Sequence, residues 1–210
     1  MVKDFDFLLE RMKQNHPVLL LGAGFSYGAT NGVNEPLPLG SKLADMIYTH
    51  FFVDGDTSSI DSSILDEIYN KKTDLKELCN YLRLLKKTDE RNHLLRRTFR
   101  DCKPATDGFH AYLTKYPWEY IFTLNIDDLV ENVYRGQQPI SVWDLNNPNG
   151  NNRNSNVNLI KLHGSVDAPD KGYIFDNSEY RDFTVSSNCL LREFAHQALQ
   201  HDLVSTVSTS

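Results

Sequence analysis

Three short apolar runs, each ending abruptly in glycine or polar residues, constrain the fold of this chain more than any other feature. Leu19-Leu20-Leu21 runs into Gly22-Ala23-Gly24-Phe25-Ser26, Ile121-Phe122-Thr123-Leu124 into Asn125-Ile126-Asp127-Asp128, and Leu159-Ile160-Lys161-Leu162 into His163-Gly164-Ser165. A short apolar run bounded by Pro, Gly or polar residues reads as a strand buried on both faces, the pattern of a parallel sheet in an α/β protein. The carboxyl ends of such strands form the ligand crevice, so polar groups placed there are candidates for binding or chemistry. Three strand ends from one chain can converge on one pocket.

The bulk numbers narrow the setting. With 210 residues, 40% of them hydrophobic, the chain can form one sizeable domain with a small appended lobe. A formal charge of −6 argues against a protein that coats nucleic acid by charge alone, so nucleic acid is not directly indicated as a partner. No apolar run approaches the roughly 20 residues that cross a bilayer. Asp4, Asp6 and Glu10 interrupt any signal-peptide profile, so no membrane association and a cytoplasmic location are expected. Three widely spaced cysteines, Cys79, Cys102 and Cys189, indicate neither a disulfide framework nor a zinc ribbon, and no metal is expected. Residues 71–103 hold 11 of the 22 basic residues and only 5 acidic ones, which marks a distinct segment. It reads as the solvated face of helices or as a patch that meets phosphate or an acidic partner.

Along the chain, Phe5, Leu8, Leu9 and Met12 predict a short amphipathic opening helix. Pro17 releases the chain into the first strand, Val18–Leu21. Residues 28–40, with three glycines and two prolines, predict a loop able to fold over a ligand. Leu43, Ile47 and Phe51 mark the next helix. Helical spacing from Ile64 to Leu85, and again through Leu94, Leu95 and Phe99, predicts a small α-helical insert over about 56–103, between core segments 1–55 and 104–210. A helix near 106–116, a strand over Trp118–Leu124, and a helix carrying Ile126, Leu129, Val130 and Val133 follow. Strands near Ile140–Trp143 and Val157–Leu162 bracket an Asn-rich, mobile loop over Asn146–Asn156. One more strand is expected at Tyr173–Phe175, a helix over Leu190–Leu203, and a frayed end from Ser205.

The strand ends carry the chemistry. Gly22 and Gly24 let a backbone approach a phosphate closely, although a tight turn without a ligand uses the same residues. Tyr27 stands where a dehydrogenase fingerprint wants a third glycine, and no acidic ribose-binding residue follows at the expected distance, which disfavours dehydrogenase chemistry. Asn125 offers an uncharged donor and acceptor, and Asp127 a carboxylate at the mouth of a helix; plain helix capping is the alternative. His163 ends an apolar strand beside Gly164. It can serve as a general base or pack as a core histidine.

Taken together, Gly-Ala-Gly-x-Ser, Thr-x-Asn-x-Asp and Lys-Leu-His-Gly-Ser, in that order, resemble the sirtuin superfamily. Pro38-Leu39-Gly40 before a helix, Trp118-x-x-Ile121-Phe122-Thr123 leading into Asn125, and Ser178-x-Tyr180 look like the sirtuin-like NAD-hydrolase domains of bacterial anti-phage defence. The likeness covers roughly residues 15–185. It implies a Rossmann-like parallel sheet flanked by helices, with a helical insert, and NAD+ as substrate. By that carry-over Gly22, Ala23, Gly24, Phe25 and Ser26 hold the pyrophosphate and ribose, with Thr123, Gly164 and Ser165 completing the cofactor-binding set. Asn125 and Asp127 engage the nicotinamide ribose and carboxamide, and His163 is the base. The four-cysteine zinc ribbon of protein-deacetylating sirtuins is missing after the histidine, which favours NAD+ hydrolysis to nicotinamide and ADP-ribose over protein deacylation. A non-catalytic NAD or ADP-ribose binding module is the other alternative. The family continues into a further strand with a glycine-containing turn, and the chain looks shortened there. An unregulated NAD hydrolase would starve its own cell, so a homo-oligomer or larger defence complex that controls it is expected.

Overall fold

The computed structural model describes residue 10 and residues 17–106, 108–150, 155, 157–185 and 188–206. The expected opening helix around Phe5, Leu8, Leu9 and Met12 lies outside them, as does most of the second half of the Asn-rich loop. Five parallel strands form one sheet in the order β3-β4-β2-β1-β5. They are β1 (Val18–Leu21), β2 (Tyr120–Thr123), β3 (Ile140–Trp143), β4 (Val157–Lys161) and β5 (Leu203–Ser205).

Side-chain alternation along these strands divides the core in two. Leu19, Leu21, Ile121 and Leu159 join one apolar cluster, while Val18, Phe122 and Ile160 join another on the opposite face. Helices cover both sides, which is why the strands read as continuous apolar runs. The first face meets α1 (Gly40–Tyr48), three helices α2 (Ser62–Asn70), α3 (Leu75–Leu84) and α4 (Thr88–Phe99), and α5 (Leu129–Tyr134). The second face meets α6 (Asn177–Val185) and α7 (Cys189–Gln200) through Phe183, Leu190 and Phe194. The architecture is therefore an α/β, Rossmann-like sheet flanked by helices. Ile68, Leu78, Leu82 and Leu95 of α2–α4 belong to the same cluster as Leu19 and Ile121, so this helical segment shares one core with the sheet.

Local chemistry sets the helix starts. Asp61 and Asp74 accept backbone N–H bonds from Ser63 and Glu77 at the first turns of α2 and α3, and Asn188 does the same for Leu190 of α7. Several elements differ from the sequence expectations, and Ile126, expected on the helix after β2, precedes α5. The strand expected from Trp118 begins at Tyr120, and the helix near 106–116 is a 3₁₀ segment, Phe109–Lys115. Tyr173–Phe175 is no strand, because the Phe175 and Asp176 amides donate to the Glu179 carboxylate at 2.8 and 2.9 Å instead of to a ladder. The last helix stops at Gln200, and Leu203–Ser205 is β5, beside β1, where a helix end and a frayed tail were expected.

The 28–40 loop is tied down along its length. Thr30 exchanges backbone hydrogen bonds with Lys103 at 3.1 and 2.7 Å, the Gly32 amide donates to the Arg100 carbonyl at 3.2 Å, and Ala29 and Leu37 are buried. In the first half of the Asn-rich loop, Asp144 accepts from the Asn146 and Asn147 amides at 2.8 and 2.9 Å. Among the described residues no helix is long and apolar enough to cross a membrane.

Candidate functional site at the strand carboxyl ends

Register places the three polar strand ends side by side. Leu21 pairs with Thr123 and Thr123 with Lys161, so β2 lies between β1 and β4. The ladder extends one residue further, since the Leu124 amide donates to the Leu21 carbonyl at 3.1 Å and the Leu162 amide to the Thr123 carbonyl at 2.9 Å. The chain thus enters its turns at Gly22, Asn125 and His163 on one edge, with Asn125 in the middle.

Asn125 links the first two turns. Its Nδ2 donates to the Gly22 carbonyl at 3.0 Å and to Ser26 Oγ at 2.9 Å, while its backbone amide donates to Thr123 Oγ1 at 3.0 Å. Ser26 Oγ in turn donates to Asp127 Oδ2 at 2.7 Å, and Asp127 Oδ1 accepts from the Leu129 amide at 3.2 Å. Both carboxylate oxygens therefore accept, the arrangement that an ionised Asp prefers. Asp127 also does part of a helix-capping task, at the first residue of α5. Burial raises its pKa above the ordinary value, against the opposing charge of Lys161.

Lys161 and Glu131 were not singled out from the sequence. Lys161 is fully buried on the underside of the turn, where Nζ donates to the Asp127 carbonyl and to Glu131 Oε1 at 2.7 Å. Burial alone would lower the Lys161 pKa, but the Glu131 and Asp127 carboxylates more than offset it and hold it raised. A lysine inside the apolar run Leu159–Leu162 was the available signal, since a cation at a buried strand position demands an acidic partner. His110 is a second omission. Its fully buried ring accepts from the Ala105 amide at Nδ1 (2.9 Å), which leaves Nε2–H to donate to the Phe25 carbonyl at 2.7 Å, fixing the glycine turn from behind. Its one-residue signal, a histidine within a weakly periodic segment, is too faint to find from sequence.

His163 sits apart. Its ring is half-buried and packs edge-on against Tyr180, with centroids 5.3 Å apart. Burial lowers its pKa to about 4, so it is neutral at physiological pH. Its carbonyl accepts from the Ile174 amide at 3.1 Å, and the next residue, Phe175, occupies the wall of the strand-end cavity. The helical segment holds this strip in place. Fully buried Arg91 of α4 bonds both Glu179 oxygens at 2.6 and 3.3 Å, and Arg83 of α3 bonds Asp176 at 3.1 Å.

The cavity itself has a volume of about 240 Å³. Gly22, Ala23, Ser26, Asn125 and Asp127 line it, against an apolar wall that includes Leu39, Leu43, Leu75, Phe99 and Phe175. The structure thus gathers five of the residues singled out from sequence around one space. Gly24, Phe25, Thr123, His163, Gly164 and Ser165 are not in its lining. Phe25 is buried against the His110 ring, with centroids 5.0 Å apart, and Thr123 supports Asn125 from below. Ser165 is buried and accepts from the Asp167 amide at 3.3 Å. Gly164 has a packing reason for being glycine: its φ is +95°, and a Cβ there would lie 2.6 Å from the Gly172 carbonyl oxygen. Gly22 has none, because a Cβ there would meet only the Thr206 carbonyl oxygen, at 3.7 Å. Packing therefore does not require a glycine at position 22.

Residues 119–209 match the family model described as a SIR2-like domain, from the start of β2 to beyond β5. No curated protein matches the chain. Over residues 119–209 the chain is therefore similar to a SIR2-like domain, and the parallel sheet accords with that likeness.

Proposed function

We propose, from the likeness of residues 119–209 to a SIR2-like domain, that the chain hydrolyses NAD+ at the nicotinamide–ribose bond, giving nicotinamide and ADP-ribose. The observation that carries the reading is the continuous hydrogen-bond chain Gly22–Asn125–Ser26–Asp127 on the wall of the 240 Å³ cavity. That volume falls short of the roughly 300–1,000 Å³ of a site enclosing a whole ligand. It suits one end of the dinucleotide, with nicotinamide and its ribose inside and the remainder lying over the glycine turn. The apolar wall suits a flat aromatic ring, and the few polar groups beside it suit ribose hydroxyls.

Cleavage of a glycosidic bond passes through an oxocarbenium-like state, and the positively charged pyridinium is a good leaving group. The protein has to orient the sugar, admit one water and stabilise developing positive charge. Asn125 positions a hydroxyl or water without bringing a competing charge. Asp127, accepting at both oxygens, supplies negative potential. His163, kept neutral by burial, is available to accept a proton, provided that Phe175 and Tyr180 yield to let it face the sugar.

That last step favours a second reading, in which the pocket binds NAD+ or ADP-ribose without cleaving it. Incubating the purified chain with NAD+ separates the two. Hydrolysis predicts release of nicotinamide by wild type and its loss in Asn125→Ala, whereas saturable binding of intact NAD+ by both favours the binding module. The proposal includes a role as an NAD-depleting cytoplasmic effector in anti-phage defence, held inactive until assembly or infection. A fully active isolated monomer would sink that part alone.

A further inference from the structure

We propose that the groove between α4 and the 28–40 loop is a binding site for phosphate groups, separate from the strand-end cavity. The groove has a volume of about 990 Å³. Arg96, Arg97, Arg100 and Lys103 line it, with only Glu90 and Asp101 as carboxylates, so a chain of net charge −6 concentrates positive charge at this one place. His50 and His93 add two further polar rings. Local charge of this kind, focused in a concave site, attracts anions even when the whole protein is acidic.

Lys103 Nζ donates to the Asn34 side-chain oxygen at 2.7 Å, but the guanidinium groups are not all committed to internal partners. Arg96 Nε is buried and has no hydrogen-bond partner. An unpartnered buried guanidinium nitrogen on a groove-lining residue calls for an acceptor that the chain does not supply. Arg100 meets Asp167 at 3.5 Å, but both side chains are about half exposed, so the pair is easily exchanged for a better one. The helix dipole accounts for basic residues in the last turn of α4, where Arg96 and Arg97 stand. It accounts neither for Arg100 and Lys103 beyond the helix nor for the orphaned Nε.

The walls are fixed before any ligand arrives. Gly32 approaches so closely that a Cβ would lie 3.0 Å from that of Asp101, and its amide bonds the Arg100 carbonyl. Thr30 and Lys103 are paired through their backbones. Guanidinium forks carried on such a fixed backbone are suited to phosphate oxygens, which accept two parallel N–H bonds. The groove also borders the strand-end site. Phe99 of α4 lines the cavity, the amides of Asp101 and Cys102 bond the Asp128 carboxylate at 2.7 and 2.8 Å, and Asp167 follows His163 by four residues. A phosphate that draws Arg100 from Asp167 therefore acts on two segments that frame the candidate reaction centre.

Phosphate reaches such a groove on a nucleic-acid backbone or on a free polyphosphate, and the test separates the two. The full chain is titrated into a short fluorescein-labelled oligothymidylate, with fluorescence anisotropy as the readout and inorganic tripolyphosphate as competitor; tripolyphosphate binding is also measured directly by calorimetry. Arg97→Gln/Arg100→Gln removes two exposed groove cations, and Lys71→Gln/Lys115→Gln removes two elsewhere on the surface. The expected result is saturable, salt-sensitive binding that the groove variant weakens at least ~10-fold and that the surface control and Asn125→Ala retain. Loss confined to the oligonucleotide assigns the site to nucleic acid, and loss of tripolyphosphate binding as well assigns it to phosphate as such. Absence of saturable binding by either probe, or equal weakening in the two double variants, overturns the proposal. Retention in Asn125→Ala keeps the outcome independent of whether NAD+ is cleaved.

Discussion

Acidification should weaken this fold through one residue, His163. Burial holds its pKa at about 4, against 6.5 for a free imidazole. Between those values the unfolded chain binds a proton that the folded chain refuses, so stability is fully present above pH 6.5 and is lost as pH falls toward 4. The whole window is worth roughly 3 kcal/mol, at about 1.4 kcal/mol for each unit. About 2 kcal/mol of it is gone by pH 5, an upper figure because the ring is only half-buried. The assay is urea unfolding of wild type and His163→Gln at pH 7 and pH 5, compared as a difference of differences, which cancels the titration of every other group. Wild type should lose about 2 kcal/mol more than the variant between the two pH values. Equal losses, or an NMR titration placing the His163 ring near 6.5 in the folded protein, would refute the reasoning. The same pKa sets the chemistry: an imidazole acting as base should give an acid limb of nicotinamide release near pH 4 and not near 6.5.

Three further outcomes are expected. Gly22→Ala should leave thermal stability nearly unchanged, because the added methyl meets only the Thr206 carbonyl oxygen at 3.7 Å, whereas Gly164→Ala should destabilise by about 1–3 kcal/mol through a left-handed backbone and a contact at 2.6 Å; calorimetry on both variants checks the contrast. Lys161→Met leaves Glu131 and Asp127 without their buried cation and should cost about 3–5 kcal/mol in chemical unfolding, with part recovered by adding Glu131→Gln. Asn125→Asp turns a donor toward the Gly22 carbonyl into an acceptor, so a loss of about 1–3 kcal/mol and of nicotinamide release is expected, measured by unfolding and by product chromatography.

The strands were legible because they are buried on both faces: Leu19–Leu21, Phe122 and Leu159–Ile160 announce themselves by unbroken apolarity. Their ends were legible for the converse reason, since Asn125 and Asp127 are polar where packing alone asks for nothing polar. What could not be read is long-range pairing of single groups. Nothing near Glu179 in sequence predicts that its carboxylate takes the Phe175 and Asp176 amides and a buried Arg91 from a helix 88 residues earlier, which turns an expected strand into a clamped strip. Leu203–Val204–Ser205 is too short to signal a strand, and only the exposed edge of β1 defines it. His163 shows the same limit at the site. Its place on the third strand end followed from the pattern, but its separation from the cavity follows from strand order. With β2 between β1 and β4, Gly22 and His163 stand two strand spacings apart, roughly 10 Å. Phe175 lines the cavity, and His163 does not.

The most direct test of the account is a product balance: NAD+ alone, without any acylated peptide, incubated with the purified chain and with Asn125→Ala, with nicotinamide and ADP-ribose quantified together. The account predicts equal amounts of the two products from wild type and none above background from the variant. NAD+ left intact by wild type under every assembly state tested, or equal turnover by both proteins, would contradict it.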